Sequence, residues 1–248
     1  MVRRTWLVAA LGLVGAGAAI SVACDEGDDD VTDASWIADR YDRLAALYDV
    51  LAAPYDWIDG RRLVRRAVAE LGLAPGDTAV ALGTGTGWSL PLLAEAVGPN
   101  GRVVGVDLSE GMLRRARARV EQAGVGDRVD LMVADMRTAD LPADTSGVLA
   151  AFSAEMVTDH QQLVDHLRRQ LPAGARIAFA GLREPEAWPD WLVRLGIAAN
   201  RIFGTRPLHR DMAPWQPLLD HLDDTTYEQD FGGAVYLAVG TVPGAEPG

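Results

Sequence analysis

The feature that most constrains the fold is the stretch of residues 78–107, where a glycine-rich turn joins two apolar runs. The turn contains Gly83, Gly85 and Gly87, and the second run ends at Asp107 after a segment with the composition of a helix. This order describes two parallel strands joined by a tight turn and a crossover helix. We therefore predict an α/β fold built on a doubly wound, mostly parallel sheet.

The glycines and the acid fit a ligand that carries a ribose. Glycine has no Cβ, so a ligand can lie directly against the main chain of this turn. Asp107 stands twenty residues after Gly87. Its carboxylate is therefore expected at the carboxyl end of the second strand, where it can accept hydrogen bonds from both ribose hydroxyls. The alternative is an ordinary glycine turn beside a solvated aspartate.

The glycine spacing separates two classes of ligand. Folds that bind NAD or flavin dinucleotides use the pattern G-x-G-x-x-G. Counted from Gly83 the third glycine position is Trp88, and counted from Gly85 it is Leu90. A Rossmann-type oxidoreductase is therefore disfavoured, and we keep it only as an alternative.

Two segments together resemble the class I S-adenosylmethionine-dependent methyltransferases: G-T-G-T-G from Gly83 and D-L-S-E-G-M-L from Asp107. The resemblance covers about residues 36–242 and continues at V-D-L-M-V-A-D-M, which ends at Met136. It implies a Rossmann-like, seven-stranded sheet that ends in an antiparallel hairpin, an amino-terminal helical cap, and S-adenosyl-L-methionine as the cofactor. The positions that it implies for cofactor binding are Gly83, Thr84, Gly85, Gly87, Asp107, Leu108, Met112, Ala134, Asp135, Met136, Phe152 and Ser153.

Within this resemblance each position has a distinct role. The glycine loop holds the methionine part of the cofactor, Asp107 holds its ribose, and Asp135 lies beside the adenine amino group. One position departs from the family, which usually has an acid two residues before the first glycine of the loop. Here that residue is Ala81, so a protein that binds the cofactor without catalysis, or a membrane scaffold, is a second alternative.

The acceptor side is predicted from the cap and from the segments after the fourth and fifth strands. Tyr41 and Tyr48 are each followed by Asp, a pattern similar to the cap of menaquinone and ubiquinone biosynthesis methyltransferases and related lipid methyltransferases. The alternative is an amphipathic helix whose tyrosines pack against the sheet. Glu155 is read as a wall of the substrate pocket or as a surface carboxylate. His209 is a weak candidate for a proton acceptor, against an ordinary loop histidine.

The predicted activity is in-line transfer of a methyl group to a small, apolar acceptor such as a quinone precursor or a lipid. We divide the chain into four parts. These are an apolar segment and acidic linker (1–33), a helical cap (34–71), a methyltransferase domain (72–242) with an acceptor-side insertion (183–222), and a tail (243–248).

Composition narrows the possible partners. The formal net charge is −12, which argues against nucleic acid because phosphate neutralisation needs a basic surface. All 23 basic residues are arginine. Four of them lie at helical spacing: Arg61, Arg62, Arg65 and Arg66. They form either a solvated helix face or a surface that contacts anionic lipid head groups. The single cysteine, Cys24, excludes an internal disulfide and a cysteine-based metal site, and we predict no metal.

The amino terminus carries an almost unbroken apolar run at residues 6–23. A membrane-spanning helix needs about 20 apolar residues, so we expect membrane association through this run. The alternatives are a cleaved or lipidated signal, a mis-assigned start, or a buried helix. Flanking charges place the folded domain outside the cell, whereas use of the cofactor requires the cytoplasmic face.

Overall fold

The computed structural model describes residues 39, 41–42, 60–185, 188–191, 193 and 212–244. Within them the helices are α1 Gly60–Glu70, α2 Leu90–Ala96, α3 Glu110–Gln122, α4 His160–Gln170 and α5 Gln216–His221. The strands are β1 Thr78–Leu82, β2 Arg102–Asp107, β3 Val129–Val133, β4 Thr145–Ala151, β5 Arg176–Leu182, β6 Asp223–Asp230 and β7 Val235–Thr241.

The strands form one seven-stranded sheet in the order β3-β2-β1-β4-β5-β7-β6. The first five strands of this order are parallel, and β7 pairs antiparallel with both β5 and β6. This confirms the predicted doubly wound sheet with its antiparallel hairpin at the end of the chain. The strand order reverses between β1 and β4, and the carboxyl ends of the strands at such a point form a crevice that binds ligands.

Helices cover both faces of the sheet. Side chains alternate along β1, so Ala79 and Ala81 face the core under α1, α2 and α3, whereas Val80 and Leu82 face the core under α4 and α5. All five residues of β1 are buried. A central parallel strand is buried on both faces, which explains why it reads as a continuous apolar run.

Local sequence signals define where α3, the helix that follows Asp107, begins and ends. The Ser109 hydroxyl accepts a hydrogen bond from the Met112 N–H at 3.1 Å and caps the start of α3, as serine does at this position in many helices. At the other end Gly124 has a φ of +70° and ends the helix, a conformation that glycine adopts without strain.

The predicted membrane localisation is corrected by the structure. Among the residues that the structure describes, no helix is both long enough and apolar enough to cross a membrane. Residues 6–23, on which the prediction depended, lie outside the described residues, as do Tyr48 and His209. The division of the chain into domains stays a prediction, since most of residues 34–59 and 186–211 also lie outside them.

Candidate active site

The three loop glycines all have positive φ, but each meets a different environment. A Cβ added to Gly83 (φ +59°) would lie 2.4 Å from the Ser153 Cβ, and one added to Gly87 (φ +78°) would lie 2.8 Å from the Ala116 Cβ. A Cβ added to Gly85 (φ +54°) would meet no atom within 4 Å. The outer glycines therefore permit close packing of the protein, whereas the central one borders open space at the crevice.

Asp107 ties the glycine loop to the end of β2. Its two carboxylate oxygens accept hydrogen bonds from the backbone N–H of Gly85 at 2.7 Å and of Ser109 at 2.9 Å. Burial raises the pKa of Asp107 above its ordinary value, and these N–H donors offset only part of that effect. The carboxylate can therefore gain from further donors, and the two hydroxyls of a ribose are donors of this kind.

The end of β4 holds the opposite side of the loop. Phe152 has a φ of +54°, which is uncommon for a residue with a side chain, and its N–H donates to the Ala180 carbonyl at 2.7 Å. The Ser153 hydroxyl donates to the Leu82 carbonyl at 2.8 Å and is buried. The Ser153 hydroxyl thus fixes the end of β1, one residue before Gly83, and its contact with the cofactor stays a prediction.

Asp135 forms an ion pair that sequence reasoning missed. The Arg137 Nε–H donates to both Asp135 carboxylate oxygens at 3.0 Å. Burial alone would raise the pKa of Asp135, but the hydrogen bonds from Arg137 outweigh it and lower that pKa below its ordinary value. Asp135 is therefore an ionised acceptor held in a fixed orientation, as recognition of an amino group requires. The only feature of the sequence that could have indicated this ion pair is that the two residues lie two positions apart.

The other predicted cofactor positions differ in exposure. Leu108, Ala134 and Met136 are half-buried, and the Met136 Cε lies 3.0 Å from the position of a Cβ on Gly83. Met112, in the first turn of α3, is fully buried, and Thr84 is buried with a hydroxyl that makes no hydrogen bond. Their contacts with a cofactor stay a prediction.

Two residues of the predicted cap contact opposite walls of the crevice. The Tyr41 hydroxyl lies 3.9 Å from the Met156 sulfur in the turn after β4. The neighbouring Asp42 accepts hydrogen bonds from the Ser109 hydroxyl and from the Gly111 N–H, the latter at 2.7 Å. These hydrogen bonds lower the pKa of Asp42, with that from Ser109 the largest cause. Tyr41 and Asp42 therefore reach the β4 side and the β2 side of the candidate site.

Glu155 is not a surface carboxylate, because it is only 9% exposed. It lies in the turn Ala154–Met156 and accepts a hydrogen bond from the Leu182 N–H at 2.9 Å. A Cβ on Gly181 would lie 1.5 Å from its carboxylate, so the absence of a side chain there makes room for the acid. Burial raises the pKa of Glu155 to about 7, because the loss of solvation outweighs the hydrogen bonds from backbone N–H groups, which lower it.

No three His, Cys, Asp or Glu side chains lie close enough to hold a metal ion within the described part of the chain.

Comparison with known proteins places the site in a family. Residues 79–174 match the model of a methyltransferase domain family. The matched span runs from β1 to the turn before β5, so it contains the glycine loop, Asp107 and Asp135.

Curated relatives extend the similarity along the chain. A demethylmenaquinone methyltransferase from Symbiobacterium thermophilum is 27% identical over 229 residues, which cover 84% of this chain and 90% of that protein. A phosphatidylethanolamine N-methyltransferase from Cereibacter sphaeroides is 31% identical over 164 residues, which cover 65% of this chain and 78% of that protein. The chain spans 54–63% of the length of several other curated methyltransferases.

Solved structures share the fold. A geranyl diphosphate C-methyltransferase from Streptomyces coelicolor has a TM-score of 0.60 at 18% identity, covering 78% of this chain and 82% of that chain. That structure contains S-adenosyl-L-homocysteine.

Proposed function

Since this chain belongs to the class I S-adenosylmethionine-dependent methyltransferases, we propose that it methylates a small, largely apolar acceptor such as a quinone precursor or a lipid. The cofactor of this family is S-adenosylmethionine. The observation that carries the proposal is the pairing of an open glycine loop with Asp107 at the switch point of the sheet. Relatives named for demethylmenaquinone and phosphatidylethanolamine support the acceptor class.

Three positions would hold the cofactor. The open space at Gly85 would accommodate the methionine part against the main chain. Asp107 would accept hydrogen bonds from the ribose hydroxyls, which would compensate for its burial. Asp135, ionised by Arg137, would accept a hydrogen bond from the adenine amino group.

The described residues on the acceptor side are mainly apolar or aromatic. Phe152 directly follows β4, and the Tyr41 hydroxyl lies 3.9 Å from the Met156 sulfur. Trp191, in the segment after β5, is 63% exposed. Such a surface favours an acceptor with an apolar body.

When bound, S-adenosylmethionine supplies a methyl group that an acceptor nucleophile takes by in-line displacement, with the sulfur keeping the electron pair of the broken bond. The chain has to align the two partners and exclude water. Asp107 and the glycine loop would fix the cofactor end, while Phe152 and the turn after β4 would orient the acceptor.

Methyl transfer from labelled S-adenosylmethionine tests the proposal. The acceptors would be a reduced demethylated naphthoquinone, phosphatidylethanolamine in detergent micelles, and a soluble polar acceptor such as glycine. We expect incorporation into the first or second and none into glycine. Incorporation into the polar acceptor alone would reject the apolar acceptor class.

A further inference from the structure

We propose that Arg119 of α3 is a positioning residue that holds the glycine loop in its cofactor-binding conformation. The inference rests on the proposed function, because it concerns the same cofactor loop. Arg119 would act through the loop and would not touch the cofactor itself.

The last two residues of the strand before the loop offer it no polar side chain. Ala81 and Leu82 are both apolar and buried in the two cores. The polar groups of the loop must therefore find partners on other elements, since a buried backbone group without a partner is costly.

Arg119 supplies such a partner at the middle of the loop. One Arg119 guanidinium nitrogen donates to the Thr86 carbonyl and to the Thr86 hydroxyl, both at 2.9 Å. Thr86 is only 4% exposed, so these oxygens are screened from water. Hydrogen bonds from a charged donor are stronger than those between neutral groups.

A second contact joins the same helix face to the next loop residue. Ala116 lies one turn before Arg119, and residues three apart share a helix face. The Ala116 Cβ packs against Gly87: a Cβ added to Gly87 would lie only 2.8 Å from it. Arg119 and Ala116 therefore hold two consecutive loop residues against α3.

The two loop residues before these are tied to the strand that leads into α3. The Thr84 N–H donates to the Val106 carbonyl at 2.9 Å, and the Gly85 N–H donates to Asp107 at 2.7 Å. Four consecutive loop residues are thus bound to β2 and α3, which also carry the candidate ribose acid. Loss of Arg119 should loosen the loop relative to Asp107 and weaken cofactor binding.

The test is the affinity of the full chain for S-adenosylmethionine, measured by titration calorimetry. Arg119→Gln should raise the Kd about tenfold, because a charge-assisted hydrogen bond is lost. Arg119→Lys should be intermediate, since lysine keeps the charge without the planar guanidinium. Thr86→Val removes the hydroxyl acceptor alone, and we expect an increase of about threefold.

A double-mutant cycle separates positioning from a general effect. In the Arg119→Gln background, Thr86→Val should raise the Kd further by less than in the wild type, because the partner is already absent. Arg117→Gln is the matched control: Arg117 is exposed on the same helix and its loss changes the charge equally. In steady-state assays Arg119→Gln should raise the KM for S-adenosylmethionine and leave the KM for the acceptor unchanged.

The inference would be overturned if Arg119→Gln and Thr86→Val bound S-adenosylmethionine as tightly as the wild type does. It would also be overturned if Arg117→Gln weakened this binding as much as Arg119→Gln does. If Arg119→Gln does not fold, Arg119→Lys and Thr86→Val decide the question by the same measurement. Failure of the proposed acceptor class would leave these affinities unchanged, so the two outcomes can be told apart.

Discussion

The Gly85 N–H lies 2.7 Å from an Asp107 carboxylate oxygen, so the residue of the glycine loop that borders open space is bound directly to the acid at the end of β2. The second oxygen of Asp107 binds the Ser109 N–H at 2.9 Å, at the start of α3. One carboxylate therefore sets the distance between the loop and the helix that follows β2. A ligand that spans both would meet a site formed before it binds.

The loop glycines should tolerate alanine unequally. Gly83→Ala should destabilise the protein by about 3 kcal/mol, because a left-handed backbone and a collision with Ser153 add together. Gly85→Ala should cost about 1 kcal/mol, since only the backbone strain applies. Urea unfolding of both variants measures the difference, and equal losses would contradict the contacts described for Gly83. Gly85→Ala should still weaken S-adenosylmethionine binding, because its Cβ would occupy space assigned to the cofactor.

The buried Glu155 should make stability depend on pH. Its pKa is raised from an ordinary value of 4.5 to about 7 in the folded protein. The folded state therefore holds a proton that the unfolded state has lost, and stability falls as the pH rises from about 4.5 to about 7. The expected loss is about 3 kcal/mol.

Glu155→Gln should remove this part of the pH dependence, because glutamine keeps an acceptor for the Leu182 N–H and does not ionise. Free energies of unfolding at pH 5 and pH 8 would be measured for both proteins. Relative to the wild type, the variant should have a higher free energy of unfolding at pH 8 than it has at pH 5. A constant difference at the two pH values would mean that Glu155 titrates outside this range.

The Arg137 partner should keep Asp135 ionised in mildly acidic solution. Arg137→Gln removes the donors that lower the pKa of Asp135, so burial would then raise it. Binding of S-adenosylmethionine should be about threefold to tenfold weaker in the variant. On acidification the variant should also lose affinity at a higher pH than the wild type. Calorimetric titrations between pH 4 and pH 7 test this, with Arg117→Gln as the control. If affinity falls at the same pH in the variant and the wild type, Arg137 does not control the ionisation of Asp135.

The sequence predicted the part of the site that depends on strand and turn order. Asp107 could be assigned because an apolar run, a glycine turn and a helix together fix where the second strand ends. That signal lies within one stretch of chain. The hairpin of β6 and β7 was implied by the resemblance to the methyltransferase family.

The partners of these residues could not be predicted, because they depend on which side chains meet across the fold. Arg119 reads as one of several arginines on an amphipathic helix, and only the docking of α3 brings it to Thr86. Glu155 lies in a short turn whose direction no periodicity defines. The structure turns it inward to the space left by Gly181.

The most direct test of the central claim is the affinity of Asp107→Asn for S-adenosylmethionine. Calorimetric titration should give a Kd at least about tenfold higher than that of the wild type, because the charged acceptor for the ribose is lost. Asp140→Asn changes an exposed aspartate and should bind as the wild type does. A Kd for Asp107→Asn equal to that of Asp140→Asn would contradict the assignment of Asp107 and, with it, the cofactor site described for this protein.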